Sequence, residues 1–117
     1  MSVHVPTVFR PGLYQMFHVS DFLHFSNHGT KPDGTQMGNA GVGHFASLET
    51  VHDDFHLVSG GLGGHMTYTD LAGFDALFFF HHVNVDRLVA LWQGVYPDSW
   101  IPKITELDGT YTDEIDK

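Results

Sequence analysis

The chain contains no cysteine. Disulfides, thiolate metal sites and cysteine nucleophiles are thereby excluded together. It is also poor in cations: five lysines and arginines stand against fourteen acidic residues, giving a formal net charge of -9. Nucleic acid is an unlikely partner for such a surface, because backbone phosphates need cations to bind. Long apolar runs are missing too. The longest, Ala76 to Phe80, has five residues, against the ~20 a membrane-spanning helix requires. No basic segment followed by an apolar stretch opens the sequence, so no signal peptide is visible. The expectation is a soluble chain off the membrane; its compartment stays open, with the cytoplasm one home compatible with the missing signal.

With 117 residues, 42% hydrophobic and 14% aromatic, there is room for one small domain with one modest core. That composition also excludes a disordered acidic tail as the whole chain. What the chain has in excess is histidine: ten residues, twice lysine and arginine combined.

The order of elements is predicted from periodicity and punctuation. Pro6 and Pro11-Gly12 predict an irregular start. Leu13, Met16 and Phe17 fit one helical face, and Ser20-Asp21 is a cap for a second short helix. Residues 27–43 are rich in Gly, Asn, Asp and Thr and read as loop. Ser47 is an N-cap for a helix that the Ser59–Gly64 run (SGGLGG) ends. Asp75 caps the strongest helix, Ala76 to about Gln93, which Gly94 and Pro97 close. That helix is apolar on most of its circumference, which places it in a core. The last twenty residues, 98–117, carry six acidic residues and two lysines and read as a peripheral tail turning at Asp108-Gly109. The class is mainly α, with long Gly-rich loops.

The histidines fall into groups of unequal weight. His52 and His56 are four apart in a predicted helix, so both imidazoles leave one face a turn apart. His81 and His82 lie in the strongest helix. Neighbouring helical residues point about 100° apart, so only one of the two is expected to reach the same ion. His82 shares a stripe with Phe78 and Val85 and is the one chosen. Three imidazoles with neither thiolate nor carboxylate suit copper or zinc, with copper the tighter binder. The zinc-protease pattern needs Glu after the first His, and Asp53 stands there instead. A buried unpaired imidazole is costly, and one shared metal satisfies several. His4, His18, His24, His28, His44 and His65 lack such pairing and read as ordinary loop or surface residues.

Ordered motifs go further. They run Ser47-Leu48-Glu49-x-x-His52-Asp53-x-x-His56, then Gly60-Gly61-x-Gly63-Gly64-His65-Met66, then Phe74-Asp75-x-x-Phe78-x-x-x-His82-x-Asn84-Val85-Asp86-Arg87, then Leu91-Trp92-Gln93 and Pro97-Asp98-Ser99-Trp100. This series resembles fungal tyrosinase (polyphenol oxidase) over about residues 14–112. It is the half of the central domain that holds the second copper, CuB. The resemblance implies a partial helical bundle of the type-3 copper fold, with the copper half at about 14–100 and the acidic tail at about 101–117. It implies oxidation of phenols or o-diphenols to o-quinones with dioxygen at two coppers, each held by three histidines, so one copper is expected per chain of this length. By position the CuB ligands are His52, His56 and His82, with His81 the adjacent non-ligand. Phe78 matches a phenylalanine over the copper pair, and Leu57 lines the substrate entrance. Asp86 is an acceptor that orients an imidazole. Glu49, with Asp53, matches the pair that holds a water and helps deprotonate the phenol.

Three departures stand out. Asp53 occupies a position where monophenol hydroxylases often carry Asn, which makes diphenol oxidation the safer expectation. Ala76 replaces a usual proline after the capping aspartate. Most important, no His-Arg pair in a helix precedes His52, so CuA ligands are lacking. The chain is therefore expected to be incomplete alone, to need a CuA-half partner, or to self-associate through an apolar face. The alternatives are a non-catalytic mononuclear copper or zinc domain and an inactive fragment.

Overall fold

The computed structural model describes residues 6–29, 47–102, 104–105 and 111–112. Two helices carry the architecture. Helix α3, Leu48–Gly60, starts where Ser47 Oγ accepts the amide hydrogen of Thr50 at 3.1 Å. It ends at Gly61, whose φ of 57° is a left-handed value that a side chain would resist. Helix α4, Ala76–Val95, starts where Asp75 Oδ1 accepts from the Leu77 amide at 2.9 Å. Ala76 in place of proline leaves that cap intact. Between them lie two single 3₁₀ turns, His65–Thr67 and Ala72–Phe74, which fold the Gly-rich connection back beside α3.

The N-terminal part departs from expectation. Helix α1 spans Pro6–Met16 and contains Pro11, where an irregular start was predicted. Pro6 opens the first turn, where its fixed φ suits a helix. Pro11 removes one internal hydrogen bond, a cost of about 3 kcal/mol in an isolated helix. Packing offsets it: Met16 is fully buried, Phe9 and Leu13 lie on the core, and the Phe9 ring meets Phe55 of α3 at 6.1 Å. The short α2, Phe22–Ser26, is capped by Asp21, as its sequence predicts.

The core gathers Met16, Phe25, Leu48, Val51 and Trp92. Trp92 is fully buried and stacks on Phe25 at 4.1 Å and 9°. Its Nε1–H donates to the Val19 carbonyl at 2.7 Å. The Tyr96 hydroxyl donates to the Phe17 carbonyl at 2.9 Å. Together these two side chains pin the C-terminal half of α4 to the α1–α2 connection. The N-terminal half of α4 behaves otherwise. The expectation of a core helix fails there, since Phe79, Phe80 and Val83 are 63%, 75% and 68% exposed. The tail holds a two-stranded antiparallel pair, β1 Ile104–Thr105 and β2 Tyr111–Thr112, with Ile104 opposite Thr112. The turn expected at Asp108-Gly109 and the long loop over residues 30–43 lie outside the described residues. No helix among the described residues is long and apolar enough to cross a membrane.

Candidate metal centre

Helix α3 presents His52 and His56 one turn apart, and their ring centroids lie 4.5 Å from each other. Helix α4 packs on α3 and brings both of its histidines to this pair. The His81 ring is 5.0 Å from His52 and 4.9 Å from His56. The His82 ring is 5.1 Å and 5.4 Å from the same two. Both α4 rings therefore neighbour the α3 pair. Side chains leaving α4 about 100° apart both reach the two α3 histidines. Ligand atoms of His52, His56 and His81 all lie within 4.8 Å of one another.

The hydrogen bonds separate the four. His52 Nδ1–H donates to Asp53 Oδ1 at 2.8 Å. His56 Nδ1–H donates to the Met66 carbonyl at 2.7 Å. His82 Nδ1–H donates to the Phe78 carbonyl at 2.6 Å. An imidazole held this way keeps its lone pair on Nε2, the arrangement that metal-binding histidines use. His52 Nε2 and His82 Nε2 then face each other at 3.1 Å. Two lone pairs at that distance repel unless a cation lies between them. In a tetrahedral site with metal–nitrogen bonds of about 2.0 Å the nitrogens stand roughly 3.3 Å apart. The donor set thus fits a copper or zinc ion. His81 differs: it is 6% exposed and its Nε2 is buried without a hydrogen-bond partner. Burial first, then the neighbouring His52, His56 and His82, lower its pKa from 6.5 to about 4, so it is neutral at pH 7.

A cavity of about 420 Å³ opens over His52, His56 and His82 and is also lined by Asp53, Leu57 and Phe78. Phe78 packs its ring 3.9 Å from that of His82, and Leu57 stands exposed at the rim. His81 lines a second cavity, of about 220 Å³, on the α1 side of His52. Glu49 and Asp53 do not line that second cavity, and they share a neighbour. The His28 amide donates to Glu49 Oε2 at 2.9 Å. Its Nδ1 lies 3.4 Å from Glu49 Oε2 and 3.8 Å from Asp53 Oδ2. His28 comes from a loop 21 residues upstream of Glu49; its four-residue spacing from His24 falls in a poor helical segment and points nowhere near Glu49, so its place here was not legible in the sequence. Met66, which supplies the acceptor for His56, was not legible either, because it acts through its carbonyl. Asp86 is exposed. The Nδ1 bonds of His52, His56 and His82 run to Asp53, Met66 and Phe78, so none of these three imidazoles is oriented by Asp86.

Comparison with known proteins agrees with this geometry. Residues 4–95 match the family model for the common central domain of tyrosinase. Polyphenol oxidase 2 of Agaricus bisporus is 40% identical over 104 residues, covering 86% of this chain and 17% of that protein. Tyrosinase of Podospora anserina is 52% identical over 63 residues, covering 54% of this chain and 11% of its own. A solved structure of recombinant mushroom tyrosinase superposes with a TM-score of 0.71 at 37% identity, over 89% of this chain and 19% of that one. The chain spans about a fifth or less of the length of these relatives. By the family model, the sequence identities and the superposed helices, the chain belongs to the tyrosinase family.

Proposed function

We propose that this chain is the CuB half of a tyrosinase-type copper oxidoreductase acting on phenols or o-diphenols with dioxygen. The observation that carries the reading is the cavity over His52, His56 and His82, whose three Nδ1 atoms are all engaged. That leaves three Nε2 lone pairs to hold one ion. Copper, when bound, supplies the exchange of electrons with dioxygen. The chain's own residues do the rest. Asp53, the Met66 carbonyl and the Phe78 carbonyl hold the imidazole planes. Phe78 offers a face against which an aromatic ring packs, and Leu57 narrows the mouth. A phenol entering there meets a carboxylate at Asp53, with Glu49 one helical turn before it. Asp53 lines the cavity, and its Oδ2 is the oxygen left to take the phenolic proton, since Oδ1 is engaged by His52. A carboxylate rather than an amide at Asp53 favours o-diphenols.

We read the chain as half a centre. Among the described residues the other cluster of ligating groups is His28, Glu49 and Asp53, which holds a single imidazole. The exposed Phe79, Phe80 and Val83 face is the surface we assign to a CuA half or to self-association, because it is apolar enough to mark an interface. The single-imidazole second cluster also favours a second reading, a mononuclear copper or zinc domain without turnover.

Copper content and o-diphenol oxidation, measured on the chain alone and after adding a separately expressed CuA half, test both. One copper per chain, no turnover alone, and turnover on reconstitution are expected. Two coppers per isolated chain would overturn the half-centre reading. One copper with no turnover after a complex has formed would leave the mononuclear domain. A folded chain that takes up neither copper nor zinc would refute both.

A further inference from the structure

We propose that His28 is a positioning residue: its amide and its ring clamp the Glu49 and Asp53 carboxylates, so that Asp53 Oδ2 keeps a fixed place at the cavity over the metal ligands. This rests on the reading that Asp53 takes the phenolic proton, and the test below separates the two.

The first observation is the charge carried by one face of α3. Glu49 and Asp53 stand one turn apart, with an oxygen of each within 4.8 Å of the other. Like charges at this helical spacing repel. Among the described residues neither carboxylate pairs with a lysine or arginine. The ion-pair partners are His28 for both and His52 for Asp53. The two side chains are 42% and 47% exposed, so packing alone does not hold either in one rotamer.

The second observation is how His28 is delivered. Phe25 of α2 is fully buried and stacked on Trp92. The Asn27 amide closes α2 on the Leu23 carbonyl at 3.3 Å, and its extended backbone turns the chain out of the helix. His28 follows and lands on α3. Its amide donates to Glu49 Oε2 at 2.9 Å. Its Nδ1 stands 3.4 Å from that same oxygen and 3.8 Å from Asp53 Oδ2. Ionised carboxylate oxygens only accept, so Nδ1 meets them as N–H. The buried core three residues upstream anchors His28 independently of the two carboxylates, which is what a clamp requires.

The third observation is the double engagement of Asp53. Its Oδ1 accepts the His52 Nδ1–H at 2.8 Å, and its Oδ2 is the oxygen nearest His28. A carboxylate approached by a donor at each oxygen is braced against rotation about its terminal bond. Asp53 lines the cavity, whereas His28 and Glu49 do not, so His28 acts through Asp53 without touching a phenol. A misplacement of about 1 Å at a reacting group costs on the order of a hundredfold in rate. With Oδ1 still tied to His52, the loss without His28 is smaller, about three- to tenfold.

His28→Ala and His28→Gln in the full chain test this by two routes. With copper and a separately expressed CuA half, His28→Ala should lower kcat for an o-diphenol about three- to tenfold. KM and zinc affinity should stay within about twofold, because the ligands and the cavity walls are untouched. His28→Gln, whose side-chain amide can donate to the same carboxylates, should recover most of the loss. The second route needs no turnover. Nitrogen-15 NMR of the full chain, metal-free and zinc-loaded, follows exchange of the His52 Nδ1 proton with water. That exchange should quicken at least about threefold in His28→Ala, where the Asp53 carboxylate swings more freely, and return towards the original in His28→Gln. An unchanged His52 exchange rate, or a glutamine variant no better than alanine, would overturn the clamp. So would a fall in zinc affinity and urea stability that accounts for the fall in kcat, since His28 would then only anchor its loop. If the unmodified chain shows no turnover after reconstitution, the reading beneath fails, and the exchange rates still decide the clamp.

Discussion

Removing the Asp53 carboxylate should weaken the metal site without weakening the fold. Asp53 Oδ1 accepts the His52 Nδ1–H at 2.8 Å. This bond fixes the ring plane and makes Nε2 a better donor. Outer partners of this kind change metal affinity by about 10–100-fold, or roughly 1.4–2.7 kcal/mol. The side chains are 27% exposed for His52 and 47% for Asp53, so water can take over part of the acceptor's role in Asp53→Ala. The expected loss therefore lies at the lower end, about tenfold. The fold responds differently. Glu49 and Asp53 are a like-charge pair four residues apart on α3, and relieving it contributes a few tenths of a kcal/mol in favour of the helix. A titration of zinc or copper against a chelator of known affinity, paired with urea unfolding of the metal-free chain, reads the two effects separately. Asp53→Asn keeps an acceptor but loses the charge, and should fall between Ala and the unmodified chain. An Asp53→Ala affinity within twofold of the original, or a loss matched by unfolding, would refute the idea that this bond orients a ligand.

Two further outcomes are expected. Trp92→Phe removes the Nε1–H donated to the Val19 carbonyl at 2.7 Å and leaves that oxygen unpaired beside a small void; urea denaturation should show a loss of about 2 kcal/mol with metal affinity unchanged, and a loss under about 0.5 kcal/mol would count against Trp92 as the pin between α4 and the α1–α2 connection. His81 has its pKa lowered from 6.5 to about 4, so between those values the unfolded metal-free chain binds a proton that the folded chain refuses. Its stability should fall as pH drops through that window, by up to about 3 kcal/mol. The difference in stability between the chain and His81→Phe, followed from pH 7 to 4, isolates this contribution, and a flat difference would refute it.

Much of this was legible in the sequence because the signals were local. Ser47, Asp21 and Asp75 cap the helices assigned to them, for each needs only its own side chain and an amide two or three residues on. The i, i+4 pair His52 and His56 meets as its spacing demands. Pro11 misled because propensity is weak against packing: Met16, Leu13 and Phe9 bury enough surface to hold a helix through a proline. His28 and Met66 were invisible for another reason. One arrives from a distant loop, and the other contributes a backbone carbonyl that every residue type possesses. His81 and His82 both neighbour the α3 histidines although they leave α4 in different directions. A 100° separation at the Cα atoms does not keep two long, flat rings from converging on the same neighbours across a helix interface.

Helix α4 carries two patterns at once, and only one is satisfied within the chain. His81 and Trp92 are buried against α3, α2 and the core. Phe79, Val83 and Leu91 follow one another at four-residue and eight-residue steps, with Phe80 beside them, and all four are exposed. Helical geometry puts these residues on one side, opposite the buried one. Each such side chain, fully covered, contributes roughly 1.5–3 kcal/mol, so leaving four in water forfeits an amount comparable with the whole stability of a small domain. Amphipathic helices that serve only their own core carry polar residues at these positions. The apolar circumference of α4 therefore describes a helix suited to enclosure on both sides, and His81 and His82 lie in the same N-terminal half of α4 as Phe79, Phe80 and Val83. On the half-centre reading, covering that face and completing the metal chemistry are demands that one neighbouring surface would meet together.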